Sequence, residues 1–204
     1  MPGEQDEERP IKIVALNGSP RKGGNTDLLI GEFLAGAREA GAEGEVIYLD
    51  DLNLRPAAEL GDVQKERVDL RADDDCRSVL DKVIAADIVV IGSPVYWQGV
   101  TAQLKCFIDR FSCHYAQPWF NEGMKGKIWA ALVPFGASDP AEAEWVTRPV
   151  EIWVRHFKGQ YAGAVAVSAF RKGAVADKPE AMQAARELGR QAVQTRRGSA
   201  ACDN

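Results

Sequence analysis

The chain is poor in metal-ligating side chains. Its 204 residues hold two histidines, His114 and His156, and four cysteines, Cys76, Cys106, Cys113 and Cys202. No two cysteines form a Cys-x-x-Cys pair. A structural zinc site needs four clustered ligands at short spacing, so no metal site is expected. No run of 18 apolar residues occurs, which excludes a membrane-spanning helix. Low-complexity tracts are missing too, so most of the chain should fold. Nor is there an excess of positive charge. The formal charge is −5, which argues against nucleic acid as the main partner. The acidic N-terminus MPGEQDEERP resembles neither a signal nor a transit peptide. A cytoplasmic protein with free, inert thiols is the expectation, with Cys106 and Cys113 spaced to share a helical face.

What is present is one domain's worth of an ordinary globular composition, 46% hydrophobic and 27% charged. The charge is uneven. Residues 1–10 carry −3 and residues 59–75 carry −4, which leaves the rest at +2. The expected organisation is a disordered acidic tail over 1–10, a single domain over 11–195 and a frayed tail over 196–204.

Strands and helices alternate. Ile11–Leu16 is a short apolar run that ends in Asn17-Gly18, as a buried parallel strand would. Leu29, Phe33, Ala37 and Ala40 then lie on one helical stripe, with Gly41 as the C-cap residue. Val46–Leu49 reads as a second strand, and 50–75 as a long polar loop. A helix at about 76–86 leads into Ile88–Gly92, the strongest strand. Val100, Leu104, Phe107, Ile108 and Phe111 have helical spacing. Ser112–Lys127 reads as a loop whose Trp119 and Phe120 either fold over the site or pack on a second subunit, with the subunit contact favoured. Ile128–Phe135 is a fourth strand. Asp139-Pro140 opens a helix that Pro149 should kink. Ala162–Val167 is a fifth strand, and 178–194 the last helix. Five strands, each followed by a helix, imply an α/β doubly wound parallel sheet. Ligands of such sheets bind at the carboxyl ends of the strands, where strand order reverses.

Three loops therefore matter. Asn17–Thr26, after the first strand, combines glycines, hydroxyls, amides and the cations Arg21 and Lys22. A phosphate needs such groups at a helix N-terminus. Walker A fails because Gly24-Asn25 follows Gly23, and the Rossmann pattern fails at Pro20. The alternative is a plain strand-to-helix turn capped by Asn25 or Thr26. The second loop, Gly92–Gly99, puts Tyr96 and Trp97 at the mouth of the central strand, where they either wall a flat ring or pack beneath the loop. The third, Pro134–Ser138, contains Gly136, which lets a ligand approach the backbone.

GSPRKGGNT (Gly18–Thr26) and ADIVVIGSPVYWQGVTAQLKCFIDRF (Ala86–Phe111) together resemble the NADPH-dependent FMN reductase family of flavodoxin-like proteins. That resemblance implies strand order 2-1-3-4-5, bound FMN, NADPH or NADH as co-substrate, and a homodimer or higher homo-oligomer. It implies that Ser19, Arg21, Gly24, Asn25 and Thr26 hold the FMN phosphate. Pro94, Val95, Tyr96, Trp97 and Gly136 would line the ring. The flavin carries the chemistry, so no catalytic side chain is expected. Hydride would pass from nicotinamide to FMN N5 and on to a small electron acceptor such as a quinone or flavin. Backbone N–H groups near Val95–Trp97 would stabilise the reduced ring. His114 and Tyr115 stand near enough in sequence to reach a substrate. The alternatives are a flavodoxin-type electron carrier and a non-catalytic FMN-binding protein. Iron–sulfur flavoproteins in this group carry a cysteine cluster after the second strand, whereas Leu52–Glu59 holds no cysteine here. A [4Fe–4S] cluster needs about four thiolates together. Iron and acid-labile sulfide assays on fresh protein are expected to return far less than one cluster per chain.

Overall fold

A computed structural model of the chain describes residues 9–58, 73–115 and 117–202. Five parallel strands form one sheet: β1 (Ile11–Asn17), β2 (Ala42–Tyr48), β3 (Ile88–Gly92), β4 (Ile128–Phe135) and β5 (Gln160–Ser168). Their order is 2-1-3-4-5, the flavodoxin-like arrangement expected. The helices are α1 (Asn25–Glu39), α2 (Cys76–Ala85), α3 (Ala102–Asp109), α4 (Phe111–His114), α5 (Pro118–Met124), α6 (Glu144–His156) and α7 (Pro179–Cys202).

The central strands are buried on both faces, which is why they read as unbroken apolar runs. Alternate residues supply two separate cores. Ile13 and Ala15 of β1 face α1 and α7, while Val14 and Leu16 face α2, α3 and α6. On the first side α1 and α7 nearly touch at Gly36 and Gly189. A Cβ on Gly189 would stand 2.0 Å from the Phe33 carbonyl oxygen, so only glycine permits that approach. Arg186 and Arg190 then reach Glu32 and Glu39 across the same crossing.

Several boundaries differ from the sequence expectation. Strand β2 begins four residues earlier than Val46, because its exposed Glu43 and Glu45 mask the strand pattern at this sheet edge. Residues 112–127 are not a loop: α4 and α5 occupy them, and Phe120 is wholly buried in the molecule's own core. Phe120 is therefore not exposed for contact with a second subunit. Trp119 is only partly exposed, with the Arg77 guanidinium 4.4 Å from its ring. Cys106 and Cys113 fall on separate helices. Asp139 accepts from the Ala141 N–H as expected of a cap, but a 3₁₀ turn (Pro140–Ala143) precedes α6, which runs on through Pro149. The last helix reaches Cys202, beyond the frayed tail expected from 196. Arg196 of α7 and Arg9 converge on Asp87, at 3.3 and 2.7 Å, and tie both ends of the chain to the entry of β3. Of the acidic segments, 1–8 and 59–72 lie outside the described residues.

The end of the 50–75 connection is anchored by a buried ion pair. Arg110, which follows α3, donates to both carboxylate oxygens of Asp74 and to the Arg55 carbonyl. Asp74 also accepts from the backbone N–H groups of Arg55 and Cys76. Burial alone would raise this carboxyl, but Arg110 and the two N–H groups outweigh it and hold it below the usual range. Folding thus lowers the Asp74 pKa. The pair stabilises the fold fully above the ordinary carboxylate range, and this contribution disappears as the pH falls through that range and below. Asp74→Asn is expected to cost about 3–5 kcal/mol in urea unfolding at pH 7. It should also flatten the acid-side loss of stability. An unchanged acid slope would show that another group titrates.

Candidate functional site

The carboxyl ends of β1, β3, β4 and β5 surround a cavity of about 410 Å³. Nine of the ten residues named from the sequence line it: Ser19, Arg21, Asn25, Thr26, Pro94, Val95, Tyr96, Trp97 and Gly136. The tenth, Gly24, stands just outside as the N-cap residue of α1.

The first wall is shaped by a small polar network. Asn17 is fully buried; its carbonyl accepts from the Ser19 N–H at 2.9 Å, and its amide donates to Asp27. Asp27 also accepts from the Gly23 N–H. Ser19 Oγ accepts from the Arg21 N–H at 3.2 Å. These bonds curl the loop back onto the start of α1, whose first N–H groups have no acceptor within the helix. Of the two cations expected here, only Arg21 lines the cavity. Lys22 turns away to Asp51, at 2.7 Å, and lies over the Tyr48 ring.

The second wall is a tight turn in which Trp97 (φ 46°) and Gln98 (φ 55°) both adopt the left-handed conformation. Adjacent non-glycine residues in that region are costly and tend to mark functional sites. The turn presents Trp97 with 97% of its surface exposed. Two of the three N–H groups expected to face a ligand are already used. Val95 donates to the Pro134 carbonyl at 3.2 Å, and Tyr96 to that of Gly99 at 3.0 Å. Trp97 retains its N–H without an acceptor among the described residues.

Sequence reasoning missed the fourth wall, where Ala169, Phe170 and Lys172 line the cavity after β5. The signal was an aromatic and two cations at the end of an uncharged strand. Asn25 sets this wall. Its amide nitrogen donates to the carbonyls of Ala169 (2.7 Å) and Arg171 (2.9 Å), and its oxygen accepts from Val175 N–H (3.1 Å). The side-chain amide is thereby occupied as a clamp, not left free to hold a ligand. Phe170 is 78% exposed and leans over Gly136, where an added Cβ would lie 2.9 Å from its ring.

His114 and Tyr115 do not line the cavity. His114 is buried against Trp119 and Phe120, and the Tyr115 ring lies tilted against that of His156, with centroids 5.0 Å apart. Among the described residues no three His, Cys, Asp or Glu side chains cluster as metal ligands.

The site thus has a hydroxyl-and-cation end at a helix N-terminus and an aromatic end across the sheet. Residues 11–201 match the model of the family described as NADPH-dependent FMN reductase. The chain belongs to that family. An iron–sulfur flavoprotein of Methanocaldococcus jannaschii is 42% identical over 100 residues, 49% of this chain and 51% of that protein. A putative NAD(P)H-dependent FMN-containing oxidoreductase of Bacillus subtilis is 32% identical over 112 residues, 55% of this chain and 58% of that protein. The matched stretch thus spans little more than half of either relative. Among solved structures, the Trp repressor binding protein of Bacillus subtilis is similar, with a TM-score of 0.68 and 26% identity over 86% of this chain and 99% of that one.

FMN fits the residues present. Its phosphate suits the Ser19–Thr26 end, and its flat ring suits the walls of Pro94, Tyr96, Trp97 and Gly136. Asn25→Ala would leave the Ala169 carbonyl and the Val175 N–H without partners and would remove one of the two donors to the Arg171 carbonyl. It is expected to lower stability by about 1–3 kcal/mol in urea unfolding and to weaken FMN capture, measured by quenching of flavin fluorescence.

Proposed function

We propose that the protein is an FMN-dependent NAD(P)H oxidoreductase that passes hydride from nicotinamide to a small acceptor such as a quinone or free flavin. The carrying observation is the two-ended cavity at the carboxyl edge of the sheet, open beside three exposed aromatic side chains, Tyr96, Trp97 and Phe170. When bound, FMN supplies the two-electron chemistry.

The chain's own groups bind and orient. Ser19 Oγ, Thr26 Oγ, the Arg21 guanidinium and the first N–H groups of α1 hold the phosphate, with Gly24 and Asn25 setting the backbone there. Pro94, Val95, Tyr96, Trp97 and Gly136 face the ring. Of the Val95, Tyr96 and Trp97 N–H groups, that of Trp97 has no acceptor among the described residues and is left to meet charge that develops at the ring edge. No side chain serves as nucleophile. The open mouth between Trp97 and Phe170 admits donor and acceptor in alternation, which fits a shared site. A homodimer and a cytoplasmic location belong to the same proposal. Trp145 and Ile152, exposed seven residues apart on α6, support an apolar contact face.

The decisive measurement is the visible spectrum of FMN-loaded protein before and after anaerobic NADPH. A yellow protein that bleaches within a turnover time, with parallel double-reciprocal lines against a quinone, is expected. A protein that refuses FMN overturns the proposal. One that binds FMN but oxidises NADPH and NADH only sluggishly is an electron carrier instead.

A further inference from the structure

Three cations stand at or beside the cavity, and they come from two different elements. Arg21, Arg171 and Lys172 have no ion-pair partner among the described residues. Arg21, with the hydroxyls and the N-terminus of α1, already serves the phosphate end. Arg171 and Lys172 lie on a different element, the turn after β5. Lys172 lines both the main cavity and an adjoining recess of about 260 Å³. Arg171, Gly173, Ala174 and Asp177 complete that recess, so two cations there face one carboxylate.

This turn is held in place. The Ala174 N–H donates to the Arg171 carbonyl at 3.1 Å, and Gly173 has φ 77° and ψ −2°. That is a type II turn, whose third position needs a residue free to adopt positive φ. Asn25 pins the same segment from α1 through three hydrogen bonds. The two cations thus project from a preorganised backbone. Phe170, on the neighbouring position, presents an exposed ring at the cavity mouth.

We propose that Arg171 and Lys172 form a second anion subsite that receives the ribose 2′-phosphate of NADPH and so selects NADPH over NADH. The inference rests on the proposed function in one respect: the cavity must admit a nicotinamide dinucleotide. The two donors differ only in that phosphate, a group of nearly two negative charges. A subsite of paired cations beside the cavity is the chemistry that distinguishes them. Both side chains are exposed, so the preference weakens as ionic strength rises.

The test is calorimetric titration of the FMN-loaded protein with 2′,5′-ADP and with 5′-ADP, fragments that require no turnover. The wild type is expected to bind 2′,5′-ADP at least tenfold more tightly. Arg171→Gln with Lys172→Gln should abolish the difference, and Arg171→Lys alone should retain most of it. Equal affinities in the wild type, binding of neither fragment, or a preference that survives the double substitution would each overturn the subsite. In turnover, the ratio of kcat/KM for NADPH to that for NADH should fall at least tenfold in the double variant, mainly through KM. A loss shared equally by both donors points to the pyrophosphate and also overturns it. The two proposals fail separately. Protein that binds 2′,5′-ADP as expected but reduces nothing refutes the oxidoreductase reading alone. Protein that turns over both donors equally well refutes the subsite alone.

Discussion

The cavity depends on hydrogen bonds that join its loops into a closed circuit. The Gly18 N–H reaches Gly92, Val95 reaches Pro134, and Ala169 reaches Phe135. Ser168 Oγ donates to the Ala137 carbonyl. Each of these bonds links neighbours already adjacent in the sheet. Among the described residues, Asn25 is the side chain whose hydrogen bonds join the first wall to the last, which strands β3 and β4 separate. A primary amide suits this position because it offers two donors and one acceptor at once, and all three are used here. A carboxylate would set negative charge against two carbonyl oxygens.

Against that braced frame, the strained and exposed parts stand out. Trp97 and Gln98 are held left-handed, while the buried β3 just before them is regular. Rigid surroundings let such a turn persist, and the strain is set where a ligand would pass. Electrostatics follow the same division. Lys22 is neutralised by Asp51, whereas Arg21, Arg171 and Lys172 remain available around the cavity. The net charge of the whole chain is therefore a poor guide to what the site attracts. The −5 total includes seven acids in 59–75, most of them outside the described residues.

Much of the fold was legible. Buried parallel strands leave unbroken apolar runs, and α1 leaves a stripe closed by Gly41, whose φ is 82°. Legibility failed where tertiary contacts overrode local pattern. Strand β2 is an edge strand, so its glutamates cost nothing in burial and hid its start. Helices α4 and α5 are short, and Phe120 is buried against a neighbour remote in sequence, Phe157. The last helix continued past 194 because Arg196 found Asp87, a partner 109 residues away.

The site divides along the same line. Local sequence by itself determined the strand-loop-helix grammar, the phosphate-type loop and the aromatic turn, because each is a short-range arrangement of backbone freedom and side-chain chemistry. Only the tertiary structure decided which of those groups face the cavity. It turned Lys22 out, made Asn25 a clamp, engaged the Val95 and Tyr96 N–H groups, and brought Phe170 and Lys172 in. The physical reason is that the walls come from strands up to about 150 residues apart in sequence. Their meeting is set by sheet order and long-range hydrogen bonds, which no local window of sequence contains.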